Sequence, residues 1–66
     1  MTITVNGKKE EIPEPITILD FLVQNNLNPD KVVVELNLDI ISKDTLKDVM
    51  LKDNDTLEIL RFVGGG

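Results

Sequence analysis

A chain of 66 residues with no cysteine and no histidine can form one small domain at most, and neither disulfides nor an ordinary zinc site can staple it. Its net charge of −5 argues against nucleic acid and anionic membranes, which would repel it, and suits a basic protein partner. Hydrophobic residues make up 41% of the chain, nearly all Ile, Leu and Val, so stability rests on packing and a sheet-rich fold is expected.

Ile3 and Val5 alternate with Thr2 and Thr4, the pattern of a half-buried strand. Asn6-Gly7 follows, the strongest short hairpin signal, because a type I′ turn needs φ > 0 twice. The return strand, Lys8 to Ile12, is mostly charged. Pro13 cannot donate to a ladder, so this strand is expected at an edge. Nothing here reads as a signal peptide, and no run is long enough to cross a bilayer, so the cytoplasm is the expected location.

Thr17 has the character of a helix N-cap, with Asp20 three residues on as a weak capping box. Ile18, Phe21, Leu22 and Asn25 share one face of a helix over about residues 18–26, and Leu19 and Val23 widen its apolar stripe. Asn25-Asn26 suits a left-handed close, and Pro29 blocks continuation. Lys31 to Asn37 is the clearest strand, with Val32, Val34 and Leu36 on one face and Val33 and Glu35 on the other. Asn37-Leu38-Asp39 turns the chain into a short return strand at Ile40-Ile41. Residues 42–51 are expected to be irregular with a helical turn near Thr45, pinned to the core by Leu46, Val49 and Leu51. Asp53-Asn54-Asp55 is a turn with Asn54 left-handed, and Thr56 to Phe62 is the last strand.

Strand, strand, helix, strand, short strand, strand is the order of an α+β fold. One helix covers one face of a mixed sheet of four to five strands, the ubiquitin-like β-grasp, in which the helix is the crossover that lets a later strand run parallel to the first and the last strand is central. The expected core is Val5, Ile18, Phe21, Leu22, Val32, Val34, Leu36, Leu57 and Ile59. Residues 1–62 then form the domain, and 63–66 a flexible glycine tail.

Val63-Gly64-Gly65-Gly66 ends on residues without a Cβ, which lets a chain thread a narrow channel. The only reactive group of such a tail is the Gly66 carboxylate, which becomes an electrophile once joined to AMP. Taken alone, a glycine run reads first as a frayed terminus, with a cloning remnant as a third possibility. If Leu57 and Ile59 point inward, strand period sends Glu58, Leu60 and Phe62 to the opposite face, where Val33 can join them. Leu60, Phe62, Val63 and Gly64 are therefore candidate partner-binding residues. Arg61, the one arginine, could add a bidentate contact to a carboxylate.

In this setting the chain resembles the ThiS sulfur carriers of thiamine biosynthesis. The resemblance lies in Val32-Val33-Val34-Glu35-Leu36-Asn37, Ile40-Ile41, Asp53-Asn54-Asp55, Leu57-Glu58-Ile59 and Val63-Gly64-Gly65-Gly66, in order and without gaps. The hairpin and the Thr17 helix extend it over the whole chain. Asn54 stands where that family usually has Gly, Ser42 where it often has Pro, and Leu46 where Trp is common. The resemblance implies that an E1-like adenylyltransferase uses ATP and Mg to adenylate Gly66, with Gly65 beside it in the channel. Sulfur from a cysteine desulfurase or related donor replaces AMP to leave a thiocarboxylate, and thiazole synthase receives that sulfur. The carrier itself would bind no cofactor and no metal.

An enzyme is the weakest class, because no histidine base and no cysteine nucleophile is present. The carboxylate pairs Asp53 with Asp55 and Asp44 with Asp48 read as turn formers and solvated surface. Three alternatives stay open. One is a molybdopterin-synthase small subunit. The second is a ubiquitin-like modifier conjugated to lysines through Gly66. The third is a passive binding module.

Overall fold

A computed structural model describes residues 1–62. The elements are β1 (Thr2–Val5), β2 (Lys8–Glu11), α1 (Ile18–Gln24), β3 (Val32–Leu36), β4 (Asp39–Ile41) and β5 (Thr56–Arg61), with 3₁₀ turns at Pro29–Lys31 and Lys43–Thr45. The strands form one sheet in the order β2-β1-β5-β3-β4. The β1 and β5 strands run parallel, and the other neighbours are antiparallel. This is the β-grasp arrangement expected from the sequence, with the last strand in the centre. The expected tail, residues 63–66, lies outside the described residues.

Local signals set the joints. Asn6 at φ 49° and Gly7 at φ 83° make the two-residue turn between β1 and β2. Every residue of β2 is exposed, as suits an edge strand. The Thr17 hydroxyl accepts from the Asp20 amide at 3.0 Å and caps α1. The helix ends sooner than residue 26. Asn25 is its C-cap and only Asn26 is left-handed, at φ 60°. The Leu27 amide then donates to the Leu22 carbonyl at 2.9 Å, and the Asn26 amide to that of Val23 at 3.1 Å, which is a Schellman close with Asn in the usual place of Gly.

Ile18, Phe21 and Leu22 of α1 pack on Ile3 and Val5 of β1, Leu57 and Ile59 of β5 and Val34 of β3. The expected core differs at its rim. Val32 and Leu36 are only partly buried, packed against the edge of that cluster. Ile3 and Ile12 are buried, the latter because backbone pairing with Met1 carries the β1–β2 ladder one residue past Glu11. Val23 does not extend the apolar stripe; it is 59% exposed. Leu46 and Leu51 seal the open end of the core from the irregular segment, and Asn54 is left-handed at φ 72°.

Candidate functional site

Residues on the two sides of β5 meet different surroundings. Leu57 and Ile59 enter the core, whereas Glu58 and Leu60 point to the face that no helix covers. Leu60 and Phe62 are 59% and 62% exposed. The β3–β5 register sets Val33 directly opposite Leu60 and Glu35 directly opposite Glu58, and the β3–β4 register sets Ile40 opposite Glu35. The open face therefore carries an apolar group of Val33, Ile40, Leu60 and Phe62 around two carboxylates.

Three contacts hold this strand in place. The Asn6 side chain pairs with the backbone of Ile59, its Oδ1 accepting at 2.7 Å and its Nδ2 donating at 3.3 Å, so β5 stays supported beyond the end of β1. The Phe62 amide donates to the Lys31 carbonyl at 2.9 Å, one residue past the strand. At the other end, Asn37 Oδ1 accepts from the Thr56 amide at 2.9 Å. Its Nδ2 donates to the buried Asp55 carboxylate at 3.0 Å, and the Lys52 amide satisfies the other Asp55 oxygen at 2.8 Å. These side-chain bonds replace ladder bonds where neighbouring strands stop.

Along the β3–β4 side of the sheet lies a cleft of about 320 Å³, lined by Val33, Ile40 and Phe62 and also by the inward-facing Val34 and Leu46. Asp30 and Lys43, which also line it, form an ion pair. The Lys43 ammonium bonds to the Asp30 carboxylate and holds it below the usual aspartate value, while the lysine is pushed up in return.

Of the residues that the sequence singled out, Leu60 and Phe62 come together, with Val33 beside Leu60. Arg61 does not join them. It pairs with Val32 and lines a cleft of about 280 Å³ on the helix side with Glu10, Phe21 and Asn25. Strand alternation requires this, since Arg61 shares parity with Leu57 and Ile59. Val63, Gly64, Gly65 and Gly66 lie outside the described residues. Ile40 and the pairing of Glu35 with Glu58 were missed, because cross-strand register is not written in any one strand. Among the described residues no group of three or more acidic side chains converges as a metal site, and no helix is long and apolar enough to cross a membrane.

The ThiS family profile matches residues 1–66. The chain belongs to the ThiS family. It is 46% identical over 50 residues to the sulfur carrier protein ThiS of Bacillus subtilis, covering 76% of each chain. Its fold superposes on the crystal structure of a thiamine biosynthesis protein (ThiS) from Geobacter metallireducens with a TM-score of 0.86, at 32% identity and full coverage of both chains. The whole chain also matches a thiazole synthase of Paramagnetospirillum magneticum at 35% identity, spanning 20% of that protein's length. The exposed apolar group thus sits on the uncovered face of a ThiS-family sheet, immediately before the Val63–Gly66 segment that completes the family match.

Proposed function

We propose that this chain is a sulfur carrier of thiamine biosynthesis whose working group is the carboxylate of Gly66. The observation that carries the reading is the ThiS family match along residues 1–66, with the glycine ending included. The open face supports it: Leu60 and Phe62 are exposed apolar residues directly before that ending, where a partner must bind to receive it. Two clusters of roles follow. Residues 1–62 are the handle, and Gly65 and Gly66 are the reactive arm.

In the chemistry proposed, a Gly66 carboxylate oxygen attacks the α-phosphorus of MgATP bound to an E1-like adenylyltransferase, and pyrophosphate leaves. A persulfide from a cysteine desulfurase or related donor attacks the acyl carbon and AMP leaves. A second thiol cleaves the resulting acyl disulfide, forming a protein disulfide and freeing the Gly66 thiocarboxylate. Thiazole synthase is the proposed acceptor, a reading supported by the likeness to the Paramagnetospirillum thiazole synthase. The carrier contributes no acid, base or metal to these steps. It contributes orientation, by fixing the root of the arm through β5.

Intact mass tests the reading. After incubation with an E1-like adenylyltransferase, MgATP and a sulfur source, the chain should gain the mass of an oxygen-for-sulfur exchange. Deleting Gly65 and Gly66 should abolish the gain and leave the melting curve unchanged. A deletion variant that still acquires sulfur overturns the mechanism. Isopeptide conjugates to lysines, without free thiocarboxylate, would move the protein to the class of ubiquitin-like modifiers.

A further inference from the structure

The centre of the open face holds two carboxylates where a purely apolar docking surface would hold none. Glu35 and Glu58 are direct partners in the β3–β5 register, and both are only half-buried. Cross-strand partners of this kind have Cβ atoms about 4.5–5.5 Å apart, and like charges placed so are destabilising. No cation relieves them among the described residues. The lysines found in ion pairs are engaged elsewhere, Lys43 with Asp30 and Lys47 with Asp48. The strand alternatives would have been easy, since the neighbouring pair in the same ladder is Val33 with Leu60.

We propose that Glu35 and Glu58 together read a cationic side chain of the protein that docks on this face. One guanidinium or ammonium group seats between the two carboxylates, while apolar side chains of the same partner cover Ile40, Leu60 and Phe62. Charge complementarity decides the occupant. The chain carries a net charge of −5, and this pair lies on the same face as the exposed Ile40, Leu60 and Phe62, with Ile40 directly opposite Glu35. An apolar patch alone accepts many partners, whereas a carboxylate pair inside it penalises any partner that brings no cation, because both charges are then covered unpaired. The partner is thus a basic protein surface with one cation in an apolar setting. This rests on the docking role proposed above for the open face, and it names the chemistry of what docks there.

The inference requires opposite signs in two measurements. Glu35→Gln and Glu58→Gln each remove the repulsion in the free domain, so each should raise the melting midpoint, most at low salt. The same variants should raise the KM for the carrier in ATP–pyrophosphate exchange by the E1-like adenylyltransferase of the same genome, by roughly tenfold, with kcat retained. The KM of the double variant should depend less on salt than that of the wild type. Glu58→Asp keeps the charge and should retain most of the affinity. A lower midpoint in both glutamine variants would show that the carboxylates support the fold, and overturns the inference. Normal exchange by the wild type with unchanged KM for both variants overturns it too, and leaves the carrier reading standing. Absence of exchange with the wild type removes the carrier reading and this inference together.

Discussion

The two faces of the sheet share their strands and almost nothing else. On the helix side, Ile3, Val34 and Leu57 are at most 1% exposed, and every one of them touches a single cluster. On the open side, Ile40, Leu60 and Phe62 are each more than half exposed, and two glutamates face each other. Consecutive residues of β5 therefore answer to different demands: Leu57 and Ile59 to the stability of the chain, Glu58 and Leu60 to whatever covers that face. A strand whose period is two residues can serve both at once, because neither set crowds the other. The difference predicts that fold and activation can be damaged separately.

The largest expected effect is on the covered face. Leu57→Ala should destabilise the domain by about 2–4 kcal/mol, a large share of what so small a core supplies. Thermal melts check this, and an unchanged midpoint would dissolve the distinction between the faces. On the open face, Leu60→Asp should cost stability at most about 1 kcal/mol, the span of strand propensities. The same change should slow adenylation by tenfold or more, equivalent to at least about 1.4 kcal/mol in docking. If exchange proceeds at the normal rate with this variant, the open face is not where the partner sits.

A third change tests the hairpin that borders the open face. Leu38 closes the β3–β4 turn at φ 77° and is 87% exposed. The equivalent position of the first hairpin is Gly7 at φ 83°. A side chain in this region is strained by about 1–2 kcal/mol, and Gly recovers part of that after its own entropic cost. Leu38→Gly should therefore raise stability by up to about 1 kcal/mol, read as a higher denaturation midpoint. A lower midpoint would mean that Leu38 packs against something despite its exposure.

The smallest effect is expected at the Asp30–Lys43 ion pair. Lys43 lowers the Asp30 carboxyl below its ordinary value, so the stability it lends is present above the pKa of unfolded aspartate and is lost as pH falls through the lowered folded value. Both side chains are 66% exposed, which keeps the contribution small. Asp30→Asn should lower the midpoint slightly near neutral pH and leave it unaltered at pH values below the folded Asp30 value, so the acid side of the melting-temperature profile flattens.

Much of this was legible in the sequence wherever a few neighbouring residues decide the outcome. Asn6-Gly7 dictates its turn, Thr17 its cap, and Asn54 its left-handed turn, because each is a local competition between φ/ψ preference and one or two hydrogen bonds. The alternation in β5 told which residues face in and which face out. The ordered set of strand and turn motifs carried the resemblance to the ThiS family, which the family match bears out. Ile12 and Val23 were harder. Their burial depends on how far a ladder runs and how much of a short helix the sheet reaches, and composition does not state either.

By itself, then, the sequence determined the elements, their order, the inward and outward sides of each strand, and the family. Only the tertiary structure decided which outward residues are neighbours. Glu35 faces Glu58, Val33 faces Leu60 and Ile40 joins them because β5 inserts between β1 and β3 with one particular register. The physical reason is that register is chosen by the inner face. Val34 must meet Ile59, and Leu36 must meet Leu57, for the core to close over α1, and a slip of one residue would turn every buried side chain outward. The open face inherits its pattern of apolar groups and paired charge from that choice, so its chemistry becomes visible only once the core has been packed.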